Sequence, residues 1–491
     1  MRRDCILSSL EEVRPGPGPE WGGGGIYSMK YHRGALYYTQ AFEARARLVR
    51  GDCSSSEYDF SLVGPPPRSG GDTYNAVDAV DGKIYFGGWV HSPAILERGP
   101  GRRAEVRFEN KYSHVHEMDV SDGSVKLLWK EGARHPKLWA CEVTDVLYNP
   151  MRDSLIAARG DGHINCGVLE VERSGRGASM VSDDRVLRGE IFMDMACLSK
   201  HTGWGGDPGL VCLDLETYDK VYSSGVPTPE RAADSGGLAH YRDGDVFQLH
   251  TKVYVSHKGG ISVFDPEGGE EPIYYRILDF GDNPYGPMRS NALYLGGGAL
   301  VAFNTPTAST VRTTDELPTN LQISSRRSPA PTILVYVSPS EARVADLTGG
   351  RVTSMESVGG EVLIAWATQP NLERYDATAL DTSVRGVSVA PHSHLLSSRP
   401  PPIEVEVDQR WVGENVFGGL PLHGYREAYV RGEGARLELR FYRLGWGPGE
   451  YEEERLELGK GYEDLSHLTG GIVSARLESS PKSGRLLFRA L

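Results

Sequence analysis

Three things are scarce in this chain. No apolar run is long enough to cross a bilayer as a helix; the longest, Ala292–Phe303, is broken by Gly296–Gly298. Helical periodicity is nearly missing, and only Pro229–Asp234 and Asp464–Leu468 read as single helical turns. Lysine is rare, with 12 residues against 41 arginines, and glutamine is rare too. The first absence excludes a helical membrane protein. The second excludes helical bundles and α/β folds. The third points to a thermophile with a GC-rich genome.

Familiar reaction motifs are missing as well. There is no GxSxG elbow, no P-loop, no GxGxxG opening a helix, no HExxH and no CxxC. The opening segment MRRDCILSSLEEV offers only Ile6 and Leu7 as an apolar patch, too short for a signal-peptide core, so a cytoplasmic location is expected. A net charge of −13 argues against bulk nucleic-acid binding. The six cysteines read first as small buried hydrophobes, with disulfides left open by the thermophilic composition.

What is present is a repeat. Ala76–Trp89, Val143–Arg159, Leu238–Val255, Ser290–Phe303 and Thr353–Ala367 each alternate apolar and polar residues on both sides of a turn. Hairpin units returning every 40 to 60 residues or so are the mark of a β-propeller. The expected fold is all-β: a seven-bladed propeller over residues 26–398, after a Gly/Pro-rich lead (1–25). Blade four, taken from about Ile191, is the least regular, because Lys200–Gly209 stands where a second strand is expected. Blade two carries an insertion, Glu97–Arg107, and blade six a long loop, Asn304–Pro331. Arg399-Pro400-Pro401-Pro402 then reads as a linker. Beyond it, six alternating stretches predict a small β-sandwich-like domain over 399–491.

A propeller offers sites at its channel and its loop faces. Histidines gather near the loops between second and third strands: His91, His114, His116, His163 and His250. His114-Val115-His116 places two imidazoles on one strand face. With His91 or His163 they would suit Zn, Fe or Cu. The alternative is a strand face with ordinary hydrogen-bonded histidines. A second set begins the blades and is expected to rim the channel: Asn75, Glu142, Asp145, Asp194, Arg289 and Asn291. These would bind a polar ligand, or merely tie loop ends. Glu142 and Asp145 are the acid/base candidates if the protein is an enzyme. Tyr74, Trp89, Trp139 and Trp204 would floor a pocket or pack between blades.

The blade texture, with DGKIYFGG at 81–88 and SVFDP at 262–266, resembles an uncharacterised archaeal propeller-like family known only as a domain of unknown function. The resemblance covers about residues 20–390 and implies a fold but no catalytic residue. The histidine clustering is also loosely similar to selenium-binding and methanethiol-oxidase propellers, but no motif matches, so nothing is transferred. The functional expectation is a non-enzymatic binding or assembly protein. It would hold a protein or small-molecule partner on a propeller face, and oligomerise or dock through its C-terminal module. The alternative is a metal-dependent lyase, hydrolase or oxidoreductase.

Overall fold

A computed structural model describes residues 5–6, 25–41, 43–68, 71–98, 104–108, 110–133, 138–200, 208–226, 244–281, 285–287, 289–304, 330–367, 385–397 and 399–491. Alternating strands joined by tight turns build nearly all of it. Among the described residues, seven antiparallel sheets follow one another in chain order. Sheet one is Ile26–His32, Ala35–Gln40, Arg45–Arg50 and Ser55–Asp59. Sheet two is built on Val77–Val80, Lys83–His91, Lys111–Asp119 and Val125–Gly132, with Gly71–Asp72 pairing the end of its second strand. Sheet three spans Val143–Asn149 to Ala178–Ser182, sheet four Val186–Phe192 to Lys220–Gly225, and sheet five Val246–Leu249 to Ile273–Arg276. Sheet six runs from Leu293–Leu295 to Glu341–Thr348, and sheet seven from Arg351–Val358 to Arg385–Pro391.

What holds the sheets together is an apolar seam between each neighbouring pair. Tyr37, Leu48, Phe60, Phe86 and Met118 fill the seam between sheets one and two. Val115, Val143, Val146 and Leu155 fill the next. The last seam joins Ile26 and Leu36 of sheet one to Val358 and Leu363 of sheet seven, which closes the ring. The same junction is tied by Met29 N–H to Ser354 Oγ (3.1 Å) and by Thr353 Oγ1 to Ile26 O (2.5 Å). The closed ring of meander sheets is a β-propeller, whose first strands surround the axis.

Two four-stranded sheets follow. One is ordered Ile403–Asp408, Arg485–Ala490, Ala428–Arg431, Glu463–Asp464; the other Phe417–Pro421, Ile472–Ser479, Arg436–Tyr442, Glu452–Glu457. They hold eight strands where the sequence suggested six. One of the extra strands, Phe417–Pro421, contains Gly418 and Gly419, both at positive φ. A Cβ on Gly419 would lie 2.4 Å from Arg276 O. Glycine there lets the backbone lie against sheet five, where Leu278 N–H donates to Gly419 O (3.0 Å). Phe247, Tyr275 and Val301 of the ring share one core cluster with Phe417, Leu439 and Phe488.

Two expectations need correcting. Sheet four has a regular second strand, Met195–Lys200, and its first strand starts at Val186 rather than near Ile191. The six cysteines are not isolated hydrophobes: they pair as Cys5–Cys53, Cys141–Cys166 and Cys197–Cys212. No helix among the described residues is long and apolar enough to cross a membrane.

Candidate functional site on the loop face

In a meander sheet, the start of the first strand, the end of the second and the start of the third lie at one end. Sheets two and three bring their polar residues together there. Trp89 lies two residues before the end of the second strand of sheet two, and Lys111 opens its third. Trp139 and Glu142 precede the first strand of sheet three, while Asp161 and His163 follow its second. The two halves are tied by backbone: Glu142 N–H to Asp161 O (2.8 Å) and His163 N–H to Trp139 O (3.0 Å).

Lys111 is the centre of the group. Its ammonium pairs with the Glu142 carboxylate, and both side chains are almost wholly buried. It lies 4.3 Å from the centre of the Trp89 ring and 5.6 Å from that of Trp139. Trp139 packs edge-on against His163 at 5.1 Å. Arg289, arriving from the segment before sheet six, donates to Asp72 Oδ2 (2.7 Å) and lies 3.8 Å from Asp161 Oδ2. It sits 4.0 Å over the ring of Tyr74, whose hydroxyl donates to Asp161 at 2.5 Å. Asn75 fixes the floor: it accepts from Ser28 N–H (2.8 Å) and donates to Arg289 O (2.6 Å) and Thr353 O (2.9 Å).

Burial dominates the electrostatics. It pushes Glu142 up to about 7, against the opposing pull of Lys111, and Asp72 up to about 6, against that of Arg289. Burial, then the charges of Lys111 and Arg185, holds His163 below its ordinary value. Glu142 Oε2 is enclosed and has no hydrogen-bond partner among the described residues. The site therefore presents a carboxyl group that titrates near neutrality beside a caged ammonium. Such a pair can hold a ligand's donor group or exchange a proton with it.

The structure thus unites Asn75, Trp89, Glu142, His163 and Arg289. Other expected residues fall elsewhere. Asp145 faces the axis, where Arg188 joins it (3.1 Å) to Asp245 (2.8 Å). Burial pushes Asp145 up to about 7. Asn291 clamps Met355 through its N–H and carbonyl, linking sheets six and seven. Asp194 is exposed in the turn between the first two strands of sheet four, at the opposite end. His250 is exposed in the equivalent turn of sheet five. Trp204 lies outside the described residues, as does the side chain of His91, although the His91 backbone ends a strand.

His114 and His116 do not reach the loop face. Both are fully buried in the seam against sheet one, beside Phe60, Phe86 and Tyr58. Their Nδ1 atoms are 3.0 Å apart. One must donate and the other accept, so at least one is a neutral imidazole. Burial pushes His114 down to about 3, and burial, then repulsion from a charged His114, holds His116 well below its ordinary value. The expected convergence of His91, His114, His116, His163 and His250 is therefore not met. Among the described residues no group of three or more His, Cys, Asp or Glu is placed to hold a metal ion. Sequence reasoning missed Lys111, Asp72 and Asp161. The available signal was strand alternation: Lys111, Ser113 and Val115 share the face opposite the histidine pair.

No curated protein matches the chain in sequence. Solved structures do match in part. Virginiamycin B lyase from Staphylococcus aureus is similar with 10% identity and a TM-score of 0.39, over 77% of this chain and 98% of that one. The β-propeller domain of the Trilobed protease from Pyrococcus furiosus is similar with 10% identity and a TM-score of 0.37, over 75% and 95%. Sqt1 from Saccharomyces cerevisiae shows 7% identity and a TM-score of 0.39, over 74% and 84%. A family model described as "Uncharacterized protein conserved in archaea (DUF2139)" matches residues 36–375, and the chain belongs to that family.

Proposed function

We propose that the protein is a binding protein whose loop face, at the seam of sheets two and three, holds a small polar ligand or a polar segment of a protein partner. One observation carries this reading. Glu142 is buried and paired to Lys111, yet keeps one enclosed oxygen unpartnered, within a wall of Trp89, Trp139 and Tyr74. Buried polar atoms in folded proteins are nearly always satisfied, so an exception in a polar, aromatic-walled group marks a place for a ligand.

In this reading the seven sheets are seven blades of one propeller within 26–398, and the two C-terminal sheets are a β-sandwich within 399–491. The sandwich serves docking or self-association, although its core is continuous with sheets five and six. Three disulfides accord with a cytoplasmic protein only in a hyperthermophile. A second reading makes the same site catalytic. It is favoured by Glu142, pushed to about 7, where a general acid or base is most effective; Asp145, also pushed to about 7, stands apart from it on the axis, paired to Arg188. Among the described residues the histidines give a metal-dependent version no ligand set, so no step is assigned to a metal.

The test is thermal unfolding of the full chain with a panel of amines, dicarboxylates and nucleotides. A ligand at about 100 times its Kd adds about 2.7 kcal/mol of stability. The expected result is at least one compound that raises the midpoint of the wild type but not of Glu142→Gln. The reading fails if no compound shifts the wild type, or if the variant shifts equally. Turnover of the bound compound, lost in Glu142→Gln, would establish the catalytic reading instead.

A further inference from the structure

Where the C-terminal sheets meet sheet five, a cavity of about 310 Å³ remains. One wall is the outer strand Ile273–Arg276 of sheet five; the other includes Arg440, Tyr442 and the loop up to Tyr451. Ligand pockets favour junctions of this kind and begin near about 300 Å³. Four tyrosines line it: Tyr274, Tyr275, Tyr442 and Tyr451.

The walls are braced without a ligand. Tyr275 OH donates to Trp446 O (2.6 Å) and accepts from Gly445 N–H (3.1 Å). Tyr442 OH donates to Arg276 O (2.7 Å) and lies 2.9 Å from Ser474 Oγ. The Tyr275 and Tyr442 rings are stacked, with centroids 6.5 Å apart. A pre-formed wall lowers the ordering cost of binding.

The buried charges at the cavity are paired: Arg276 with Asp279, and Arg440 with Glu438 (2.8 Å). Glu450 is exposed at the rim, where its Oε2 accepts from Gly447 N–H (2.8 Å). A solvated carboxylate such as Glu450 adds little for a cation. An ionised ligand inside would leave its own charge or one of the paired ones without a counter-charge. A neutral ring bearing hydroxyls would not. Its C–H face would lie on tyrosine rings, and its hydroxyls would bond the edges of guanidinium and carboxylate groups, which have several donor and acceptor sites each.

We propose that this junction is a binding site for a neutral hydroxylated ring of the carbohydrate class. It does not depend on the loop-face site. The test is saturation-transfer NMR on the full chain, with methyl β-glucoside, maltose and cellobiose as probes and benzamidine as the charged aromatic control. At least one saccharide is expected to bind, and Tyr274→Ala and Tyr451→Ala should each weaken it about tenfold or more. Tyr451 is 41% exposed, so its truncation leaves the core intact. Glu142→Gln, at the loop face, should bind the saccharide as the wild type does. The proposal is overturned if no saccharide binds at about 10 mM. It is also overturned if neither tyrosine variant weakens binding, or if benzamidine competes equally with the sugar.

Discussion

One strand, Lys111–Asp119, has two faces with opposite chemistry. Its even residues, Tyr112, His114, His116 and Met118, face sheet one; its odd residues, Lys111, Ser113 and Val115, face sheet three. The even face is an apolar seam with two imidazoles bonded to one another. The odd face ends in a buried ion pair at the mouth of the ring. The lesson is that proximity in sequence says little about shared environment in a strand. Lys111 and His114 are three positions apart, and the sheet lies between them.

The pair on the odd face should be the most sensitive to substitution. Lys111→Met leaves Glu142 buried without its paired cation. Breaking a buried pair in this way costs about 3–5 kcal/mol. The cost should depend on pH. Glu142 already sits near 7 in the folded state, above its ordinary 4.5, and loses the cation that opposes its burial. A carboxyl raised on folding binds its proton more tightly in the folded state, so stability falls as pH rises above about 4.5. Lys111→Met should therefore be closer to wild type at pH 5 than at pH 8 in denaturant titrations. A cost that is equal at both pH values would mean that Glu142 is not the group left stranded.

The even face should respond in the other direction. His114 is held at about 3 in the folded state, far below its ordinary 6.5, and His116 is also held well below that value. The unfolded chain binds more protons below pH 6.5, so the folded state loses stability as pH falls through that value. The slope is about 1.4 kcal/mol per pH unit for each histidine, down to about pH 3 for His114. His114→Leu/His116→Leu should flatten the acid limb between pH 6.5 and 4 while leaving the limb above pH 6.5 unchanged. An unaltered acid limb would show that the imidazoles are already protonated, and so not sealed in the seam.

The same contrast explains what could be read from the sequence. Hairpins with a Gly or Asn/Asp turn were legible, because alternation and turn chemistry agree; Asp81-Gly82 between the first two strands of sheet two is one. Turns made by non-glycine residues at positive φ were not. Met193 (φ 56°) and His250 (φ 55°) close the first hairpins of sheets four and five. Neither turn contains glycine, so the sequence reads Asp194 as a blade entry and His250 as a loop-face residue. His114-Val115-His116 is a recognisable pattern, whereas Lys111 forms no motif. Its role comes from meeting Glu142, 31 residues away, which only the packing of sheet three against sheet two decides. The disulfide pairing was hidden for the same reason. Cys197 and Cys212 face one another across adjacent strands only once the register of sheet four is fixed.

The smallest expected effect compares one hydroxyl on each face. Ser113 Oγ is fully buried and donates to Cys141 O at 2.6 Å, next to Glu142. Tyr58 OH is partly exposed and lies 3.3 Å from His116 Nε2. Ser113→Ala removes a good buried bond and should cost about 1–1.5 kcal/mol. Tyr58→Phe removes a longer bond that water can replace in part, so its cost should be about 0.5 kcal/mol or less. The order carries information about the imidazole pair. If His116 Nδ1 donates to His114, then His116 Nε2 is an acceptor and depends on the Tyr58 proton. If His114 donates instead, His116 Nε2 carries the proton and donates it to Tyr58 OH. The two tautomers differ in 15N chemical shift at His116. A Tyr58→Phe variant that costs as much as Ser113→Ala, with the His116 nitrogen shifts exchanged, would show that the even face is a connected hydrogen-bond chain. The comparison would then be between two polar networks rather than between a network and an apolar seam.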